Sequence, residues 1–130
     1  MKVFVLEDEI DSSPRNQIKL ALQDHNLTLA RSVEEAKRVF KGPYNLLLLD
    51  HDMEGHIEPN LDHPNIGMRF VEWLLTKPQP KKKPLVVLHS QNRAGRKRMR
   101  DALEAEGYKV IEIEFSYKYV DQLKPHLEAL

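Results

Sequence analysis

The chain has no cysteine among its 130 residues. That excludes disulfides, thiol nucleophiles and thiolate metal sites. It has no net charge either, since 20 Lys and Arg balance 20 Asp and Glu. A molecule with no overall polyelectrolyte character meets a nucleic acid only through a local patch. No apolar run is long enough to cross a membrane. The first one, "VFVL", is too short for the core of a secretion signal and runs straight into acids. These absences predict a cytoplasmic protein with no membrane association. No internal repeat is visible. The length fits a single domain spanning residues 1–130.

Five short apolar runs punctuate the sequence: "VFVL" (3–6), "LTLA" (27–30), "LLLL" (46–49), "LVVL" (85–88) and "VIEIEF" (110–115). Amphipathic segments separate them. The first opens at "SSPRN", with Ser13 as N-cap and Pro14 at the first helical position, and presents Ile18, Ala21 and Leu22 on one face. The second opens at Ser32, with Glu35 completing a capping box. Its inner face carries Val33, Ala36, Val39 and Phe40, and Gly42-Pro43 ends it. A third covers about 66–76 with Phe70, Val71, Leu74 and Leu75 inward. A fourth covers about 93–106 with Met99, Ala102 and Leu103 inward and Gly107 as its stop. A fifth starts near Asp121 and carries Leu123, Leu127 and Leu130, with Pro125 expected in its first turn. Pro78, Pro80 and Pro84 mark "KPQPKKKP" as an exposed connector.

Strands alternating with helices predict βαβ units and a parallel sheet. Runs 1, 3 and 4 are continuously apolar, as strands covered on both faces are. Runs 2 and 5 alternate with polar residues and belong at edges. The strand order is therefore 2-1-3-4-5, a flavodoxin-like doubly wound sheet with helices on both faces.

Ligands of such sheets sit beyond the carboxyl ends of the strands, near the switch between strands 1 and 3. The chain places Glu7, Asp8 and Glu9 after strand 1, Asp50, His51 and Asp52 after strand 3, and His89, Ser90, Gln91 and Asn92 after strand 4. Strand alternation predicts Asp50 and Asp52 on one side and His51 on the other. Crowded carboxylates repel unless a cation joins them. An oxygen-rich site suits Mg²⁺ or Mn²⁺, with Glu7, Asp8, Asp50 and Asp52 as ligands.

These residues resemble those of response-regulator receiver domains over nearly the whole chain. "VFVLEDE" resembles the first strand with its acidic pair, Glu7 and Asp8. "LLLLD" resembles the third strand ending in the phosphoacceptor, Asp50. "VVLHS" resembles the fourth ending in the switch hydroxyl, Ser90. The resemblance implies that the acids, Asp50 and the carbonyl of Asp52 hold Mg²⁺ and that Asp50 accepts a phosphoryl group. Three features depart from it. The lysine that closes strand 5 in receivers has no counterpart except Lys118 in a shifted register. The turn after the aspartate is the longer "MEGHIEPNLDHPNIG". Histidines flank the key positions, in "DHD" and "HSQN". That pair is similar to a divergent branch, the cyclic-phosphate processing receiver domains.

A leaving alkoxide needs a proton, and His51 and His89 are candidates to supply it, facing each other across the pocket. His56 and His63, with Glu58, Asn60 and Asp62, lie in the long loop, which reads as a lid or binding loop. No close ligand pair there has zinc spacing. The segment "NRAGRKRMR" (92–100) starts a helix beside the pocket. Its amides with Asn92, Arg93 and Arg96, and Ser90 beside them, would bind phosphate, and Arg96, Lys97 and Arg100 would hold further phosphates of a nucleotide or RNA end. Two readings follow. One is a metal-dependent phosphoesterase acting on a cyclic nucleotide or RNA-end cyclic phosphate, with Asp50, His51, His89 and Ser90 catalytic. The other is a standalone receiver, phosphorylated on Asp50, that signals to a protein partner.

Overall fold

A computed structural model describes residues 1–13, 15–53, 60 and 62–130. The elements, in chain order, are β1 Lys2–Leu6, α1 Gln17–Ala21, β2 Asn26–Ala30, α2 Val33–Val39, β3 Leu46–Leu49, α3 Gly67–Leu75, β4 Leu85–Leu88, α4 Arg93–Ala105, β5 Val110–Glu112 and α5 Tyr119–Glu128. The five strands are parallel in the order β2-β1-β3-β4-β5, as the hydrophobic patterns predict. Leucines and valines of β1, β3 and β4 are shut off from water on both faces.

Strand alternation divides the core in two. Phe4, Leu6, Leu47, Leu49, Val86 and Leu88 face α2, α3 and α4, where they meet Ala36, Phe70, Val71, Met99 and Leu103. Val3, Val5, Leu46, Leu48 and Val87 face α1 and α5, where they meet Ile18, Leu22, Tyr119 and Leu123.

Local signals place the helix ends. The Ser32 hydroxyl accepts the Glu35 amide at 3.1 Å, while the Glu35 carboxylate reaches back to the Arg31 amide at 2.7 Å. This is a capping box displaced by one residue on its return side. Asn65 adds a second cap, its side chain accepting the Val33 amide. At the end of α4, Gly107 takes φ +87°. Its amide bonds the Glu104 carbonyl and that of Tyr108 bonds the Leu103 carbonyl, which is a Schellman motif.

Three expectations about element ends are corrected. Helix α1 is a short helix that starts at Gln17, and Ser13 lies in the turns before it; Pro14 is outside the described residues. Strand β5 stops at Glu112, although burial goes on alternating through Ile113 and Phe115. Helix α5 starts at Tyr119, so Pro125 sits in its middle rather than its first turn. Pro125 is exposed, and its ring removes one hydrogen bond from the middle of the helix.

Candidate functional site

Leu6, Leu49 and Leu88 lie side by side in the sheet register. The next residues, Glu7, Asp50 and His89, continue it. The Asp50 amide bonds the Leu6 carbonyl at 3.0 Å and the His89 amide bonds the Leu49 carbonyl at 3.1 Å. All three side chains therefore turn to the same face, that of α1 and α5. One donor atom from each lies within 4.8 Å of the others, and all three residues are buried. His89 Nε2 is 2.8 Å from Glu7 Oε2. Arg15, from the β1–α1 connection, brings Nε to 2.9 Å from Glu7 Oε1 as an ion pair. Its guanidinium lies over the Phe115 ring, 4.7 Å from the centroid. Phe115 and Tyr119 stack on each other at 4.7 Å and present themselves edge-on to His89. Asp8 is partly exposed and joins Glu7 and Glu9 in a second acidic group.

His51 and Ser90, of opposite parity, form another cluster with Asp52 and Asn92, against α3 and α4. His51 is fully buried, with Nδ1 3.0 Å from Asp52 Oδ1 and 3.3 Å from Asn92 Nδ2. Asn92 also donates to Asp52 Oδ1, and the Ser90 hydroxyl reaches Asp52 Oδ2 at 3.4 Å. The ring of His51 lies on Gly95, where a Cβ would come 2.4 Å from it. A Cβ on Gly67 would come 2.1 Å from the Asp50 carbonyl. Both helices approach the tip of β3 more closely than any side chain permits.

Two predicted directions are thereby corrected. Asp52 does not point with Asp50, because the strand ends at Leu49 and alternation lapses with it. The chain bends at His51, whose carbonyl accepts the Gly67 amide, and Asp52 bridges antiparallel to Ile66. His51 and His89 do not face each other, because they differ in parity and lie on opposite faces of the sheet. The basic helix also differs from expectation. Arg96 is buried and donates to Glu112, Glu114 and the Ser90 carbonyl. Lys97 pairs with Asp101, and Arg100 with Glu104 and Glu112. Arg93 remains exposed at the first turn of α4. Lys118 is exposed, its ammonium over Tyr117. Among the loop residues, His63 accepts the Asn65 amide and Asp62 pairs with Arg69, while Asn60 accepts the Asp62 amide. His56 and Glu58 lie outside the described residues.

Parity counted from the paired leucines finds Glu7, Asp50 and His89. The sequence reading missed Arg15, Phe115 and Tyr119, which reach the cluster only through tertiary packing.

Burial dominates the electrostatics. Asp50 is pushed up to about 8 by desolvation, with the Glu7 carboxylate reinforcing the shift. Glu7 is raised too, again mainly by burial. His89 is pushed down to about 4 by burial, so its imidazole is neutral at pH 7. Tyr119 is raised by the same cause. With Asp50 pushed up to about 8 and Glu7 raised beside it, the two carboxyls hold a proton at neutral pH. His89 Nδ1 and the Tyr119 hydroxyl are buried without a partner. Two hard oxygens and one imidazole within bonding reach of a common point fit a small divalent cation, which would take the proton's place.

Comparison with known proteins bears on the fold and the family. No curated protein sequence matches the chain. Solved structures do, at the level of the fold. The response regulator TrrA from Thermotoga maritima, solved in complex with Mg²⁺ and BeF, is 23% identical. That match covers 98% of this chain and 96% of TrrA with a TM-score of 0.63. The NtrX receiver domain of Brucella abortus is 20% identical over 98% and 99% of the two chains, with a TM-score of 0.60. The chemotaxis protein CheY4 of Vibrio cholerae is 20% identical over 99% and 98%, with a TM-score of 0.62. The family model for the cyclic-phosphate processing receiver domain matches residues 1–105, most of the chain, and the protein belongs to that family.

Proposed function

We propose that the cluster of Glu7, Asp50 and His89 opens a cyclic phosphate on a nucleotide or an RNA end with the help of Mg²⁺ or Mn²⁺. The observation that carries this reading is the convergence of two buried carboxylates and a neutral imidazole on one point. The family's name agrees with it. Glu7 and Asp50 would hold the cation, with Asp8 at the rim and the imidazole nitrogen tilting the preference towards Mn²⁺. When bound, the cation neutralises phosphate charge and makes attached water more acidic.

The chain's own residues do the rest. His89 is held by its Nε2 contact to Glu7, and its ring, kept neutral by burial, would act as a weak base that takes a proton only as charge develops in the reaction. Arg15 neutralises Glu7 from outside the cluster. Arg93, at the exposed start of α4, is placed to meet the anion. Arg96 is spent on Glu112 and Glu114 and plays no direct part. His51, Asp52, Ser90 and Asn92 form the supporting network behind the tip of β3. His89 is therefore the proton carrier of the two histidines, and His51 a positioning residue.

Turnover of 2′,3′- and 3′,5′-cyclic nucleotides and of RNA ending in a 2′,3′-cyclic phosphate, with Mg²⁺, Mn²⁺ or chelator, tests this. Asp50→Asn should abolish activity, and His89→Ala should lower it roughly a hundred-fold or more. No hydrolysis of any substrate, or activity that survives loss of both His51 and His89, would sink the enzymatic reading. A phosphoacceptor receiver signalling to a protein partner would then take its place. The likeness to TrrA, captured with Mg²⁺ and BeF, favours that second reading.

A further inference from the structure

At the amino ends of the strands, opposite the acid cluster, lies a cleft of about 500 Å³. That is within the range of small-molecule sites. Its walls are aromatic: Phe40 at the end of α2, Tyr44 before β3, Trp73 in α3 and Tyr108 before β5. Lys37 and Lys77 stand at its mouth, both exposed, and no carboxylate lines it. Lys77 Nζ lies 4.8 Å from the centroid of the Trp73 ring, and Lys83 Nζ lies 5.8 Å from that of Tyr108. The floor is braced by Gln79, which accepts from the Tyr108 hydroxyl at 2.6 Å and donates to the carbonyls of Leu74 and Lys77.

Charge singles out this end of the molecule. At the other end of the molecule most bases are matched, Lys19 and Arg31 with Asp11, Arg96 and Arg100 with Glu112, Lys97 with Asp101, while Arg93 and Lys118 are exposed there. Among the described residues Lys37, Lys77, Lys81, Lys82 and Lys83 make no such pair. A chain of zero net charge thus sets five unmatched lysines at the end of the molecule that carries a cleft walled by aromatic side chains.

We propose that this cleft binds a nucleotide, with the base against the aromatic walls and the phosphate among the lysines. An apolar peptide would leave the lysines unused, and an acidic peptide would leave the rings unused. A nucleotide uses both, through stacking and charge. The nucleotide is either free or part of a single strand. The site is separate from the acid cluster and does not depend on its chemistry.

Trp73 is the only tryptophan of the chain, so its fluorescence reports the cleft directly. In chelator, AMP, CMP, adenosine, inorganic phosphate, a short oligoribonucleotide and polyglutamate are titrated in turn, with calorimetry alongside. Saturable quenching by AMP or CMP is expected, or by the oligoribonucleotide alone if the ligand is a strand. Binding should weaken about tenfold in Lys37→Glu/Lys77→Glu, a change of about 1.4 kcal/mol, and fall with added salt. It should persist in Asp50→Asn. Both lysines are exposed, so the double variant folds, which its melting curve verifies. Four outcomes overturn the proposal: no heat or quenching at millimolar nucleotide; adenosine binding as well as AMP; loss in Asp50→Asn but not in the lysine variant; or polyglutamate binding where nucleotides do not.

Discussion

At the residue scale, Asp50 couples the site to pH. Without a cation its native carboxyl holds a proton up to about pH 8, whereas the unfolded chain loses it near an ordinary pKa of about 4. Over that interval the folded state binds the extra proton, so stability falls as pH rises. His89 acts in the opposite sense below its ordinary value of about 6.5, since the folded imidazole, pushed down to about 4, refuses a proton that the unfolded chain accepts. His89 offsets Asp50 between about pH 4 and 6.5, the raised Glu7 acts in the same sense as Asp50, and from there to about 8 the loss due to Asp50 has no histidine to oppose it. Melting of the metal-free protein should therefore drop between pH 6.5 and 8. Asp50→Asn should melt higher than wild type at pH 8 and lack this drop. Mn²⁺ should raise the wild-type midpoint, more at pH 8 than at pH 6.5, and leave Asp50→Asn unmoved. Equal shifts in both proteins would place the cation elsewhere. The other cluster has its own test. Gly95→Ala puts a methyl into the His51 ring, and overpacking of that kind costs about 1–3 kcal/mol in a denaturation series.

At the scale of elements, β5 and α5 decide which side chains reach the acid cluster. The segment between β5 and α5 brings Phe115 towards the acid cluster, and Lys118 is exposed to solvent. With no ammonium to draw phosphoryl oxygens towards Asp50, acetyl phosphate should label that carboxylate poorly. Mass spectrometry after rapid quenching reads this, and stoichiometric, long-lived labelling would contradict it. Helix α2 offers a simpler check. Ser32→Ala removes one cap of two and should cost about 1 kcal/mol. The central elements were readable in the sequence because their signals are local: unbroken Leu and Val runs, Ser32 with Glu35, Gly107 after a periodic stretch. The start of α1, the end of β5 and the place of Pro125 were not, because packing rather than local preference sets them. The contents of the site divide in the same way. Glu7, Asp50 and His89 follow from counting past the strands. The bend at His51 depends on a contact to Gly67, and Arg15 and Tyr119 arrive by packing, so no spacing reveals them.

Across the whole molecule, one sheet keeps two kinds of surface apart. Acids and imidazoles gather beyond the carboxyl ends of the strands, and unmatched lysines gather at the amino ends. Their separation matters for association. Added salt should weaken any anion held at the amino end and barely change a cation bound inside the acid cluster. The in-register amides of Asp50 and His89 have a further consequence, in time rather than in space. Both hydrogen bonds belong to the central strands, so these two amides should exchange with deuterium only as slowly as the core amides of Leu48 and Val87. A rim that opens no faster than the protein unfolds has no moving parts of its own at β3 and β4, and its ligands meet a surface already in place.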